Sequence, residues 1–391
     1  MDALTAEDRA ALVEAVREFA AARLAPNAST WDAEKTFPVD TLREAGELGL
    51  GGIYVGEESG GSELSRLDAV AIFEELAQGD TTIAAYISIH NMVAWMIDAF
   101  GDEQQRLQWL PKLVTMEHLG SYCLTEPGAG SDAAAITTSA ARDGDEYVLN
   151  GTKQFISGAG SSAVYLVLAR TGGPGPRGIS AILVPAGTPG LSFGPNEKKM
   201  GWNAQPTRQV IFDDVRVPVA NRLSAEGDGF GIAMKGLNGG RVNMGACSLG
   251  GAQWALDKAA RYVQEREAFG APLAANQSIL FTLADMETDL QAARALLQRA
   301  AGKMDDAAPD AAAACALAKR FATDAGFRVA NQALQLHGGY GYLHEYGIER
   351  VVRDLRVHQI LEGTNEIMQL IVGRELLADA RTDQQRAKAP L

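Results

Sequence analysis

Cysteine is scarce: Cys123, Cys247 and Cys315 are the only three in 391 residues, and no two form a CxxC pair. Each lies in an apolar or small-residue run, which excludes a disulfide framework and predicts reduced core residues in a reducing compartment. Positive charge is also in short supply. Lys and Arg number 35 against 49 Asp and Glu, a formal net charge of −14. That balance argues against a surface for nucleic acid or anionic lipid, since both need clustered cations, although a local basic groove for a phosphorylated ligand stays compatible with it. The five histidines are scattered, with no HExxH or comparable ligand spacing, so no metal is expected. No GxxxxGK[ST] loop is present either. Long apolar runs are missing: the longest uncharged stretch, Thr81 to Ile97, contains Ser88, His90 and Asn91 and falls short of the roughly 18 apolar residues of a membrane span. It predicts a buried core helix and no membrane. The opening residues, with Asp2, Glu7 and Asp8, lack the basic-then-apolar order of a leader, so the expected location is the cytoplasm, or the mitochondrial matrix for a processed eukaryotic protein.

What the chain has is enough apolar material, 47% hydrophobic, for a large core shared by two or three domains. Leu12, Val16, Phe19 and Ala20 recur at helical spacing behind a Thr5–Asp8 capping box, with Pro26 as the stop. Further helices are predicted at about 38–48, 65–78, 80–100 and 102–115, each bounded by Gly or Pro. Short β-rich runs follow at 146–150, 163–168, 179–184 and 209–212, separated by turn chemistry such as Asn150-Gly151 and the glycine- and proline-rich 171–178. After Gly231 helical periodicity returns, for example Ile279, Leu283, Met286, Leu290, Ala293 and Leu297. The expected organisation is an N-terminal helical domain (1–118), a small all-β domain (119–226) and a C-terminal helical bundle (227–391). That order is not the alternating one of a parallel sheet, so a Rossmann-type site is not expected. The GxGxxA match at Gly158–Ala163 is a decoy, because it leads into a strand pattern where the fingerprint needs a helix.

Three segments could carry chemistry. Cys123 to Asp132 (CLTEPGAGSD) joins the hydroxyls of Thr125 and Ser131 to a glycine-rich backbone that can approach a flat or anionic ligand, though an ordinary polar turn would look the same. Gln335 to Tyr342 (QLHGGYGY) is a glycine cluster between helices, followed by Arg350, Arg353 and Asp354, and could equally be a helix C-cap. In His358 to Glu366 (HQILEGTNE), Glu362 sits in an apolar helical pattern just before a Gly-Thr break. A carboxylate in such surroundings should be pushed up by desolvation, which suits a general base, whereas a solvated glutamate near a helix end is the plainer alternative.

Together these segments, in this order and spacing, resemble the two signature regions of the acyl-CoA dehydrogenase family, and the resemblance runs over essentially the whole chain. It implies the family fold, with the middle domain a β-barrel and the last a four-helix bundle. It also implies FAD, since no side chain accepts a hydride. By motif, Tyr122, Cys123, Leu124, Thr125, Gly130 and Ser131 with Phe155, Ile156 and Ser157 would surround the flavin ring. Arg266, Phe269, Asn276 and Gln277 would hold the pyrophosphate and adenosine. Gln335, Leu336, His337, Gly338 and Gly339 would do the same from a neighbouring subunit, with Thr364, Asn365 and Glu366 completing the set. Glu362 would take the α-proton, its backbone N–H holding the thioester oxygen. Ser131, Asn238, Gly239, Gly240, Arg241, Gly363 and Arg374 resemble substrate-binding positions. Some members carry the base at the position of Gly240, where glycine cannot serve, and the Gly239-Gly240 pair would leave room for an α-methyl branch. The segments 170–180, 201–208, 236–241, 281–286 and 360–366 are similar to those of members acting on short branched thioesters, and Phe155 in place of a common tryptophan fits the same subgroup. They imply isobutyryl-CoA, oxidised to methacrylyl-CoA in valine breakdown, with 2-methylbutyryl-CoA or butyryl-CoA as rivals. The partners implied are electron transfer flavoprotein, with O2 as the competing acceptor, and three further copies in a homotetramer. A flavin-containing DNA-binding protein on the same scaffold is the alternative of another class, disfavoured by the acidic total.

Overall fold

The computed structural model describes residues 5–388. Thr5 caps α1 (Ala6–Phe19), its side-chain oxygen accepting the Asp8 N–H at 3.1 Å. Then come α2 (Ala28–Glu34), α3 (Val39–Glu47), α4 (Arg66–Gly79), α5 (Thr81–Phe100) and α6 (Glu103–Leu113). Capping boxes at Ser65–Asp68 and Asp102–Gln105 start α4 and α6, which is why these ends fall close to the punctuation in the sequence. α5 runs past the uncharged stretch to 20 residues, long and apolar enough by length and composition alone to cross a membrane, but most of it is buried inside the protein. It is a core helix: Ile83, Tyr86 and Ile87 are completely enclosed.

The central region contributes β1 (Gly120–Cys123), β2 (Ser139–Asp143), β3 (Glu146–Ser157), β4 (Val164–Arg170), β5 (Ile179–Pro185), β6 (Leu191–Phe193), β7 (Thr207–Pro218) and β8 (Arg222–Leu223). They form one mixed eight-stranded sheet, ordered β6-β7-β3-β2-β4-β5-β8 with β1 parallel to β4, and it does not close into the expected barrel. The reason lies at its middle, where β2 and β4 share a single register pair, Ser139 with Arg170. The sheet therefore folds there, and the inner faces of the two halves meet: Tyr147, Leu149, Val210 and Phe212 from one side share a core with Tyr165, Val167, Ile182 and Val184 from the other. The alternate residues Val164, Leu166 and Leu168 face the opposite way, into a second core with Val93 and Ile97 of α5. A strand covered on both faces must read as the continuous apolar run seen in the sequence. The glycine pattern at 158–163 is a turn leading into β4, as its strand context required.

The C-terminal part consists of α7 (Gly229–Glu265), a two-residue hairpin of β9 (Glu267–Ala268) and β10 (Ala271–Pro272), α8 (Gln277–Asp305), α9 (Ala311–His337), α10 (Ile348–Arg356) and α11 (Asn365–Lys388). Met286, Leu290, Ala293 and Leu297, the predicted stripe of α8, are buried in a core shared with α1, α4, α5, α7 and α9. α10 is tied to all three regions. Its Arg353 pairs with Asp32 of α2 at 2.5 Å, and its buried Asp354 accepts the Trp202 N–H of the β region at 2.6 Å. Beside them, Arg350 of the same helix lies 3.5 Å from Asp80, the cap of α5.

Candidate active site

Eight residues after Asp354 the chain reaches Glu362, and here the structure departs from the sequence reading. Glu362 is not in a helix but in the turn between α10 and α11, with φ 54°, followed by Gly363 at φ 93°. A non-glycine residue in the left-handed region costs free energy and persists only where its surroundings over-determine it. They do so here. Arg241 of α7 donates from Nε to the Glu362 carbonyl at 3.1 Å, and Lys319 of α9 donates from Nζ to the Gly363 carbonyl at 2.9 Å and to Asn365 Oδ1 at 2.9 Å. Thr364 Oγ1 accepts the Ile367 N–H, starting α11 directly behind the turn.

Glu362 is half-buried, and the Oε2 that this turn presents is enclosed and has no hydrogen-bond partner. Burial pushes Glu362 up to about 7, against the opposing pull of the Lys319 and Arg241 charges. Its floor is α7: a Cβ at Gly240 would lie 2.5 Å from Glu362 Oε2. The bare backbone at Gly240 therefore leaves room for the Glu362 carboxyl group, and a side chain at 240 would arrive where this carboxyl sits. At Gly239 the neighbour is the Arg66 guanidinium, which stacks on Tyr54 with its centre 3.6 Å from the ring centroid. Tyr122 on β1 turns a buried, unpartnered hydroxyl to the same region, and its phenol is raised by burial first and by the Glu362 charge second.

The remaining expected residues fall into two groups. The β region supplies the first group as a rim, of which Tyr122 reaches the Glu362 charge. Between Lys153 and Ile156 the register of β3 against β7 slips, a bulge that gives Phe155 φ 61° and throws its ring outward to 63% exposure. Gln154 N–H donates to the Thr125 carbonyl at 2.8 Å, and Ser121 Oγ to the Ser157 carbonyl at 2.6 Å, so these segments lie side by side. Cys123, Leu124 and Ile156 are buried behind that rim, while Gly130 and Ser131 are exposed on the loop. Asn238 accepts from Arg241 at 2.8 Å, Asn365 is buried against Lys319, and Glu366 points to solvent. Arg374 is exposed on α11 and, among the described residues, makes no contact with this cluster.

The second group is remote. Arg266, Gln335, Leu336, His337, Gly338 and Gly339 line one open pocket of about 360 Å³, with His337 stacked on Tyr262 at 4.2 Å. Phe269, at φ 56° on the tip of the β9–β10 hairpin, is fully exposed, and Asn276 and Gln277 lie exposed at the start of α8. Arg266 follows α7 directly, and the 24 helical steps from Arg241 to Glu265 put it about 36 Å along the helix from the Glu362 cluster. The Arg266 segment and the Gln335–Gly339 segment thus belong to one face of one chain.

Sequence reading missed three features. Lys153 and Glu126 form a buried pair at 2.8 Å that anchors the 123–132 loop, and Glu126 also accepts the N–H groups of Thr137 and Thr138. Both charges stand in otherwise ordinary polar segments, so the pairing left no periodic signal. Lys319 did leave one, as the cation within the run Cys315-Ala-Leu-Ala-Lys319 on the buried face of α9. Finally, a pocket of about 610 Å³ opens beside Ser131, lined by Asp132, Thr137 and the glycines of 172–175. The Arg170 side chain holds that pocket's shape through bonds to the carbonyls of Ile136, Ala134 and Gly173.

Family models of the N-terminal, middle and C-terminal domains of acyl-CoA dehydrogenase match residues 6–117, 121–215 and 227–377 in turn. The mitochondrial isobutyryl-CoA dehydrogenase of Bos taurus is 56% identical over 92% of this chain and 87% of its own length, and that of Dictyostelium discoideum 54% identical over 95% and 90%. The solved butyryl-CoA dehydrogenase of Megasphaera elsdenii superposes with a TM-score of 0.92 at 39% identity, covering 96% of this chain and all of that one. The chain belongs to the acyl-CoA dehydrogenase family.

Proposed function

We propose that the protein removes the α-proton and the β-hydride of a short branched acyl-CoA, isobutyryl-CoA first, to give methacrylyl-CoA, with Glu362 as the base. One observation carries the reading: a carboxyl group whose Oε2 is enclosed and unpartnered, raised to about 7 and held over bare backbone at Gly240. A base so tuned is half ionised at neutral pH and exchanges a proton readily, a contribution of about 10²- to 10⁴-fold. The Glu362 N–H has no acceptor among the described residues, so it is free to bind the thioester oxygen and acidify the α-carbon. The 610 Å³ pocket beside Ser131, with its exposed glycine backbone, suits the nucleotide end of the thioester.

Acyl-CoA dehydrogenases are FAD enzymes. The residues present fit that group: the exposed Phe155 ring, the unpartnered Tyr122 hydroxyl and the Thr125 and Ser157 segments form a rim for a flat ring beside Glu362. When bound, FAD supplies the hydride acceptor that no side chain can provide. The pocket of Arg266 and Gln335–Gly339 suits its pyrophosphate and adenosine, but about 36 Å of α7 is farther than an extended dinucleotide reaches. Hence we assign that pocket to the flavin of a neighbouring subunit in a homotetramer. Electron transfer flavoprotein is the proposed acceptor, and the three buried free thiols suit a reducing location such as the cytoplasm or mitochondrial matrix.

The test is anaerobic titration of the flavin-loaded protein with isobutyryl-CoA, followed by flavin absorbance and repeated with 2-methylbutyryl-CoA and butyryl-CoA. Bleaching in the parent with a rate rising through about pH 7, and none in Glu362→Gln at equal flavin content, is expected. Bleaching in Glu362→Gln would sink the assignment of the base.

A further inference from the structure

Lys319 is a charged group beside the site whose burial the reaction above does not use. Its side chain lies on the inner face of α9, and desolvation pulls the ammonium down to about 8, with the Glu362 charge opposing that fall. Two of its three protons are committed, one to the carbonyl of Gly363 and one to Asn365 Oδ1, each at 2.9 Å. Asn365 is fixed in turn, donating to Asp324 Oδ1 at 2.8 Å and to Thr323 Oγ1 at 3.0 Å. A buried lysine spends several kcal/mol of hydration to occupy such a place. A methionine would fill the volume without that penalty, so the charge or the hydrogen bonds must serve something. What they touch is the residue next to the base, at the left-handed turn that aims the carboxyl group.

We propose that Lys319 is a positioning residue for Glu362: its ammonium clamps the Gly363 carbonyl so that the left-handed turn presents the carboxylate over Gly240, and its charge keeps that carboxylate ionised in a dry site. The inference rests on Glu362 being the base. The groups facing Glu362 are Arg241 and Cys247 of α7, Tyr122 of β1, Tyr54 ahead of α4 and Lys319 of α9, while Asp324 and Glu366 flank Lys319 itself. Of these only Arg241 and Lys319 are cations. Arg241 is spent on Asn238 and on the Glu362 carbonyl, so the two cations hold adjacent carbonyls of the turn. Removing one cation from beside a buried carboxylate raises that group, since the charged form loses its partner.

The experiment measures the pH dependence of flavin bleaching by isobutyryl-CoA in the flavin-loaded tetramer of the parent, Lys319→Met, Lys319→Gln and Lys319→Arg, with Glu362→Gln as reference. Flavin-to-protein ratio and Tm are read alongside. Met and Gln should move the midpoint up by about one pH unit and slow bleaching at pH 7 by about 5-fold or more, with flavin content held. Arg, keeping the charge, should restore the parental midpoint. Parental midpoints in Met and Gln would overturn the proposal, as would a loss of flavin and Tm in both without a midpoint shift in what remains, which would make the lysine structural only. Bleaching in Glu362→Gln would instead remove the premise, so the two failures are distinguishable.

Discussion

At the scale of single residues, the site depends as much on what is missing as on what is present. Gly240 has no side chain, and the Glu362 carboxyl occupies the place one would take. Gly240→Ala should therefore displace the base, lowering the bleaching rate with isobutyryl-CoA and butyryl-CoA alike by about 10- to 100-fold. Flavin content should not change, because the atoms an added Cβ would meet are those of the Glu362 carboxyl group. If the variant lost only the branched substrate, the space would belong to the substrate's methyl group, as the sequence alone suggested. Glu362 itself was legible as a candidate from its motif. Its left-handed backbone was not, because that depends on Arg241 and Lys319, which are 121 and 43 positions away.

At the scale of elements, the 123–132 loop and β3 act as one unit because Lys153 reaches across to Glu126. Burial alone would raise Glu126, but the Lys153 charge and the N–H groups of Thr137 and Thr138 hold it down at about 2, below an ordinary 4.5. A carboxylate depressed in this way stabilises the fold above its unfolded pKa and loses that contribution as pH falls toward its folded one. Lys153→Met leaves a buried carboxylate without its cation, which costs about 3–5 kcal/mol. The urea midpoint of the variant should lie well below the parent's at pH 7, and the gap should narrow as pH drops from about 4.5 toward 2. A gap that stays constant across that range would show that packing, not charge, ties the loop down. The β3 bulge beside this pair explains how Phe155, an aromatic residue in a strand pattern, ends at 63% exposure.

On the scale of the whole molecule, the length of α7 separates the two halves of the proposed flavin site, and the proposed assembly joins them through a second chain. The exposed side chains of Phe269, Phe281, Tyr342 and Leu343 lie in or beside the segments of the remote half, an apolar surface of the kind that monomers rarely leave uncovered. Phe269→Asp should lower the mass seen by size-exclusion chromatography and, on dilution, the flavin-to-protein ratio, with helicity and Tm of the chain little changed. A variant that kept parental mass and flavin would refute the shared site.

The sequence by itself determined the element order, the helix ends and the family, because capping, periodicity and contiguous motifs act over a few residues and are written locally. The strand pattern that follows likewise exposed the decoy at 158–163. The tertiary structure alone decided that the sheet stays open, since this rests on a single pair between β2 and β4. It also decided which residues face Glu362, because a carboxyl group acquires a raised pKa only when α7, α9 and β1 together exclude water from it.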